Sequence, residues 1–205
     1  MNKNICLAIL ATLLLVSALV LGACCSPARY ILSTPSNPAG GGSISPGGGS
    51  YVDKTEVTLT AAPAAGYRFD HWGGNASGVS NSVEITMNAQ KTVTAYFVRL
   101  YDLSVLTSPV GGGTVNISGG TYDVGTGVTL VGTPAIGYKF AHWEGDASGT
   151  SGNTVITMDS DKTVVAVFSK VIYTLESRLS PGGGGSVDPP DDNYEAGANV
   201  TLTAI

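Results

Sequence analysis

Cysteine is missing from most of this chain, because all three of its cysteines, Cys6, Cys24 and Cys25, fall within the first 25 of 205 residues. The rest of the sequence therefore cannot form an internal disulfide or a thiolate metal site. Charged residues are also scarce, at 12% of the chain against about a quarter in an average globular protein. The formal net charge of −5 repels phosphate backbones, so we expect no nucleic-acid partner.

Glycine and β-branched residues are what the chain has in excess. Its 28 glycines and 10 prolines divide it into short stretches rich in Val, Ile and Thr. This composition favours turns and strands over helices. The predicted fold class is mainly β.

The N-terminus has the layout of an export signal, with Lys3 followed by an apolar run from Ile5 to Ala23. The run ends in Leu-Gly-Ala-Cys, which resembles the lipobox of bacterial lipoproteins and implies that Cys24 is lipidated. We therefore expect residues 1–23 to be a signal peptide or anchor, and the protein to be exported and membrane-anchored at the cell surface. An uncleaved transmembrane helix and plain secretion stay open as alternatives.

The strongest feature of the sequence is an internal repeat. The segment 66–72, Gly-Tyr-Arg-Phe-Asp-His-Trp, recurs at 137–143 as Gly-Tyr-Lys-Phe-Ala-His-Trp, and Ile-Thr-Met and Lys-Thr-Val recur at the same offset. A third copy begins at Tyr173 and contains no counterpart of this segment. We predict repeat 1 at 30–97, repeat 2 at 101–168 and an incomplete repeat 3 at 173–205.

Within each repeat, apolar residues alternate with threonines, which predicts sheets with one buried face and one wet face. The predicted core consists of large apolar side chains, namely Tyr67, Phe69, Trp72, Met87 and Phe97 in repeat 1 and Tyr138, Phe140, Trp143, Met158 and Phe168 in repeat 2.

Three further expectations concern details of the strands and the links between repeats. Trp72 comes three residues after Phe69, so either the strand bulges there or Trp72 packs from a loop. Asp159–Lys162 is predicted to be a hairpin turn between strands at 154–158 and 163–168. The short links at 98–100 and 169–170 favour a semi-rigid rod.

The combination Gly-Tyr-x-Phe-x-x-Trp, Ile-Thr-Met and Lys-Thr-Val-x-Ala-x-Phe resembles the divergent B-repeat of the internalin-B type. The resemblance implies tandem small β-rich modules, described as β-grasp-like, on secreted and cell-surface proteins. It implies stalk or interaction roles and no catalytic residues. Repeat 3 departs from the family in lacking its second half.

Few side chains could act in catalysis or bind a metal, and we predict no cofactor and no metal site. His71 and His142 each stand beside a repeated tryptophan, where a structural role is the better interpretation. A calcium site would need Asp146, Asp159 and Asp161, but repeat 1 has only amides at those places. A set of tyrosines that recurs at one position could stack on sugars or cover a sheet edge, namely Tyr51, Tyr122 and Tyr194.

We therefore expect a non-enzymatic surface protein that acts as a spacer or an adhesive module, with a polysaccharide or a cell-surface protein as its partner. Its membrane contact would be the N-terminal lipid or helix. The alternative is the N-terminal part of a larger exported enzyme with accessory repeats. Completion of the half-repeat by a strand from another chain is a third hypothesis.

Overall fold

A computed structural model describes residues 26–180 and 182–205. The predicted signal segment and Cys24 lie outside these residues. Strands are the regular elements of the described part, and it contains no helix long and apolar enough to cross a membrane. The strands are β1 (Arg29–Ser33), β2 (Ser36–Asn37), β3 (Gly42–Ser45), β4 (Gly49–Val52), β5 (Thr55–Pro63), β6 (Tyr67–Gly74), β7 (Ser82–Met87), β8 (Lys91–Ser108), β9 (Gly113–Val115), β10 (Gly119–Asp123), β11 (Gly127–Pro134), β12 (Tyr138–Gly145), β13 (Asn153–Thr157), β14 (Lys162–Lys170), β15 (Ile172–Leu175), β16 (Val187–Asp188), β17 (Asp192–Glu195) and β18 (Thr203–Ala204).

The first module packs two sheets around one core. In one sheet β1 pairs with β4 in antiparallel fashion and with β8 in parallel fashion, and β8 continues to β6. The second sheet is antiparallel, in the order β3-β5-β7. The alternate side chains of β5, β7 and β8 point between the two sheets, as the period-2 pattern requires.

The second module repeats this arrangement. The C-terminal half of β8 pairs with β10 and, in parallel, with β14, which continues to β12. The second sheet has the order β9-β11-β13. Each module has its own cluster of buried residues, and the predicted mainly β fold of tandem modules is confirmed.

The predicted hairpin at Asp159–Lys162 is wrong. β13 pairs with β11, whereas β14 pairs with β12 and β8, so the two strands belong to different sheets. Their apolar side chains, such as Ile156 and Val164, meet across the core instead of along a ladder. The connection is therefore a crossing from one sheet to the other.

The two complete modules share one strand. β8 runs without interruption from Lys91 to Ser108, so residues 98–100, which the sequence suggests as a link, are part of a continuous strand. Its odd-numbered residues lie on the core-facing side of the sheet, with Val93 buried in the first core and Leu103 in the second, and Arg99 between them is exposed. The main sheets of the two modules therefore form one continuous sheet.

The third copy contains two small ladders, β15 with β17 and β16 with β18. Its apolar face is open, since Leu202 is 48% exposed, whereas its counterpart Leu130 is fully buried. A shallow cleft of about 270 Å³ lies on this face, beside Tyr173, Leu175 and Leu202.

Candidate functional site

The ten predicted core residues lie in the two module cores. Six of them are buried. The other four lie in the first halves of β6 and β12, are half-buried and pack against the clusters, namely Tyr67, Phe69, Tyr138 and Phe140. In the first module Trp72 donates its Nε1 hydrogen to the carbonyl oxygen of Ser80 at 2.8 Å. Its ring tilts against Phe69, with centroids 5.2 Å apart. Trp143 makes the same bond to Ser151 at 2.9 Å.

A β-bulge brings each tryptophan into its core. The register between β6 and β8 shifts between Phe69 and His71, so Asp70 is the extra residue. A bulge reverses which face the following residues occupy, and Trp72 consequently points inward like Phe69. The same shift occurs between Phe140 and His142. Of the two alternatives left open by the sequence, the bulge is the one that the structure contains.

The two histidines lie on the outer face, in different surroundings. His71 Nδ1 is 2.8 Å from Asp70 Oδ2, and its ring stacks on that of Tyr96 with centroids 4.5 Å apart. His142 instead contacts Glu144 through Nε2 at 2.9 Å. Each histidine thus contacts a carboxylate, but through a different ring nitrogen and from a different position in the strand, and the tyrosine ring is present only beside His71.

The three aspartates that a calcium site would need take part in local hydrogen bonds and ion pairs. Asp146 accepts a hydrogen bond from the backbone N–H of Thr163, Asp159 pairs with Lys162 at 2.7 Å, and Asp161 accepts from the N–H of Asp102. Among residues 26–180 and 182–205, no group of three or more His, Cys, Asp or Glu side chains could hold a metal ion.

Two of the three recurring tyrosines form cross-strand pairs in the main sheet, whereas Tyr194 pairs with Tyr173 in the separate β15–β17 ladder. Tyr51 lies opposite Tyr30, and Tyr122 lies opposite Tyr101. All four rings are half-buried and pack against the module cores. This packing leaves only part of each ring accessible.

The most distinctive cluster of side chains lies at the junction of the two complete modules, on the outer face of the sheet. Arg68 of β6 donates two hydrogen bonds to Asp123 of β10, from Nε to Oδ1 at 2.7 Å and from Nη2 to Oδ2 at 2.6 Å. A third bond joins Arg68 to Asp70 at 2.8 Å. The hydrogen bond from Arg68 is the main reason why the pKa of Asp123 lies below its usual range.

On the inner face, Arg99 connects the two cores. Its guanidinium lies 5.1 Å from the ring centre of Tyr67 and 5.5 Å from that of Tyr101, within the range of cation–π attraction. Backbone bonds close the junction on either side, from Leu100 N–H to the Gly66 carbonyl and from Val124 N–H to the Arg99 carbonyl. The junction is thus held on both faces of the sheet. We name it the Arg68–Arg99 clamp, comprising Arg68, Asp123, Tyr67, Arg99 and Tyr101.

The second junction has similar backbone bonds, with one acceptor shifted by a residue, and different side chains. Val171 N–H donates to the Gly137 carbonyl, and Ala196 N–H donates to the Val171 carbonyl. Lys170 stands in the position of Arg99 and pairs with Glu195. A lysine has no planar guanidinium to stack between two rings, so this junction lacks the inner half of the clamp.

Sequence analysis did not identify the clamp. Arg68 and Asp123 are 55 residues apart, and neither belongs to a motif with known spacing. The only available signal was the position of Arg99 between Tyr67 and Tyr101 at the repeat boundary. That signal does not reveal which face of the strand the three side chains occupy.

Comparison with known families supports the resemblance noted from the motifs. A family model described as the divergent InlB B-repeat domain matches residues 32–100, 103–172 and 173–205. No curated protein matches the chain at a significant level. The matched segments follow the three predicted repeats in order and together cover most of the sequence. The chain therefore belongs to the divergent InlB B-repeat domain family.

Proposed function

We propose that this protein is a non-enzymatic repeat protein of the cell surface and that its complete modules serve as a stiff spacer. The observation that supports this function best is the continuous strand β8, which belongs to both modules. A shared strand leaves no flexible segment at which the modules could pivot. The Arg68–Arg99 clamp restrains the remaining twisting and bending motions.

A non-catalytic role also fits the use of the titratable groups. The carboxylates with lowered pKa values each face a partner within the fold, as Asp123 faces Arg68 and Asp159 faces Lys162. Such shifts accompany structural ion pairs as well as active sites. The two histidines are exposed and have different neighbours, which argues against one chemistry carried by both modules.

The spacer function can be tested with spin labels on equivalent exposed positions of the two modules. After Ser replaces Cys6, Cys24 and Cys25, labels are placed by Glu84→Cys and Val155→Cys, and double electron–electron resonance measures the distance between them. We expect a narrow distance distribution. A distribution as broad as that of two freely jointed modules would contradict the spacer function.

The same labels test the clamp. We expect Arg68→Ala to broaden the distance distribution while each module stays folded, because the outer ion pair is lost. The side chains of Arg68 and Asp123 are 42% and 39% exposed, so the effect on the free energy of unfolding should be small, about 0.2–1 kcal/mol. Arg29→Ala, a surface arginine remote from the junction, is the control and should leave the distribution unchanged.

Acid should weaken the clamp in a defined direction. The pKa of the Asp123 carboxyl is lowered in the folded state, so its ion pair contributes fully above the ordinary carboxyl pKa of about 3.9. The contribution is lost as the pH falls through the lowered value. We therefore expect the distance distribution of the unaltered protein to become as broad as that of Arg68→Ala only in strong acid. High salt screens the ion pair and should reduce the difference in width between the two proteins.

We further propose that Cys24 carries the lipid anchor and that the protein is exported to the membrane surface. The support is the lipobox-like segment at the end of an apolar run. Metabolic labelling with a fatty acid should mark the protein, and Cys24→Ser should abolish the label. Cys25→Ser is the matched control and should retain it, and loss of the label in both variants alike would oppose this assignment.

An adhesive role stays a prediction. The proposed partner is a polysaccharide or a protein of another cell surface, held by weak contacts that add up along tandem modules. Binding to purified cell-wall polysaccharide should then rise steeply when the protein is clustered on vesicles. Absence of binding in both the free and clustered forms would leave the spacer role alone.

A further inference from the structure

We propose that each complete module is a force-resisting unit, which holds its fold when the chain is pulled along its length. This inference deepens the spacer function proposed above, since a spacer between an anchor and a bound partner carries tension. It depends on how the strand that enters a module pairs with the strand that leaves it. In both complete modules these two strands are direct neighbours and run parallel.

The parallel direction decides how tension acts. The chain enters at one end of the pair and leaves at the opposite end, so a pull on the chain slides the two strands along each other. All the hydrogen bonds of the ladder then resist together. An antiparallel pair pulled from neighbouring ends would instead open one bond after another.

The second module has the longer ladder. Its register runs without a break over six residue pairs, from Lys162 opposite Leu103 to Val167 opposite Ser108. Sliding would also displace Val164 and Ala166, which are fully buried in the core. Bond breakage and loss of packing therefore occur in the same movement.

The first module has an interrupted ladder. Leu32 and Ser33 pair with Lys91 and Thr92, and pairing resumes only at Ser36 opposite Ala95. The interruption contains Pro35, whose carbonyl accepts a hydrogen bond from the Ala95 N–H at 3.1 Å.

Pro35 also explains the difference between the modules. The N–H and C=O of one residue in a strand point to the same neighbouring strand, so the Pro35 nitrogen faces β8 but has no hydrogen to donate. The counterpart of Pro35 in the second module is Leu106, which has an N–H and lies in the unbroken part of the ladder. The second module should therefore withstand the greater force.

Single-molecule force spectroscopy tests the inference on the full chain, with Ser in place of Cys6, Cys24 and Cys25. Handles at Ser104→Cys and Ser169→Cys pull the second module along its parallel ladder. Handles at Ser108→Cys and Ser169→Cys pull on the same end of both strands and peel them apart. The fold is the same in both cases, and only the direction of the force differs.

We expect the unfolding force to be several-fold lower in the peeling geometry. Equal forces in the two geometries would overturn the inference. The spacer proposal would survive that outcome, because it rests on the distance between modules without load. Conversely, a broad distance distribution between the modules would contradict the spacer function, but the unfolding force of each module could still depend on the direction of pulling.

Substitutions in the ladder give a second, independent test. Leu106→Pro should lower the force in the sliding geometry, whereas Leu106→Ala, which keeps the N–H, should leave it nearly unchanged because the Leu106 side chain is 55% exposed. Pro35→Leu should raise the force needed to unfold the first module when the chain is pulled from its two ends. If Leu106→Pro does not fold, Pro35→Leu still tests the inference. An unchanged unfolding force of the first module in that variant would contradict the role of the parallel ladder.

Discussion

Replacement of Trp72 with alanine is expected to unfold the first module while leaving the second largely folded. Trp72 is only 2% exposed, contacts Phe69 and satisfies the Ser80 carbonyl. Loss of such a side chain costs about 3–5 kcal/mol. A module of about 70 residues buries too little surface to have much more stability than that.

The experiment can follow the two modules separately, because the protein has only two tryptophans and each module contains one. In the Trp72→Ala variant the fluorescence of Trp143 reports the second module, and circular dichroism reports the total loss of strand. We expect reduced strand content at room temperature. The melting temperature reported by Trp143 fluorescence should be slightly lower than in the unaltered protein, since β8 loses half of its neighbours. Trp72→Phe is the control and should cause a smaller loss. An unchanged circular dichroism melt for Trp72→Ala would show that the core assignment is wrong.

The second large effect is expected for Gly74→Ala. Gly74 has a positive φ of 79°, and a Cβ there would lie against the Thr92 carbonyl oxygen, well inside van der Waals contact. That oxygen accepts the N–H of Asn75 at 2.8 Å, so it cannot move away without loss of the bond. Strain and overpacking together should cost about 2–4 kcal/mol. Gly145 has a φ of 81° and faces Thr163 in the same way, so Gly145→Ala should destabilise the second module similarly.

The adjacent glycine supplies the control. A Cβ on Gly73 would meet the side chain of Tyr96 at 2.7 Å rather than backbone. The second module has Glu144 at the corresponding position, with Val167 in place of the tyrosine. Gly73→Ala should therefore cost much less than Gly74→Ala in a thermal melt of the first module. Equal losses for the two variants would mean that the positive φ and the backbone contact are not the cause.

The pattern of apolar residues was enough to predict which side chains face inward. Residues such as Leu59, Met87 and Val93 alternate with polar neighbours, and a strand can bury only one of its faces when the other meets water. The pattern could not decide how Trp72 reaches the core. A bulge and a loop put the same residue inside, and only the pairing of Phe69 and His71 with β8 distinguishes them.

The wrong hairpin has a related cause. Ile156 and Val164 both belong to strands with one buried face, and their strands are separated by a short polar segment rich in turn-forming residues. A short connection between two such strands favours a hairpin, but it is equally long enough to cross from one sheet to the other. Periodicity contains no information about which edge a strand joins.

By itself, the sequence determined the tandem repeat, the mainly β class and the alternation of buried and exposed residues along the strands, because these depend on spacing along the chain. Only the tertiary structure decided the partners of the strands, the continuity of β8 and the clamp formed by Arg68, Asp123 and Arg99. It also decided that the entering and leaving strands run parallel. These features depend on contacts between residues far apart in the sequence, which form only when two sheet edges meet.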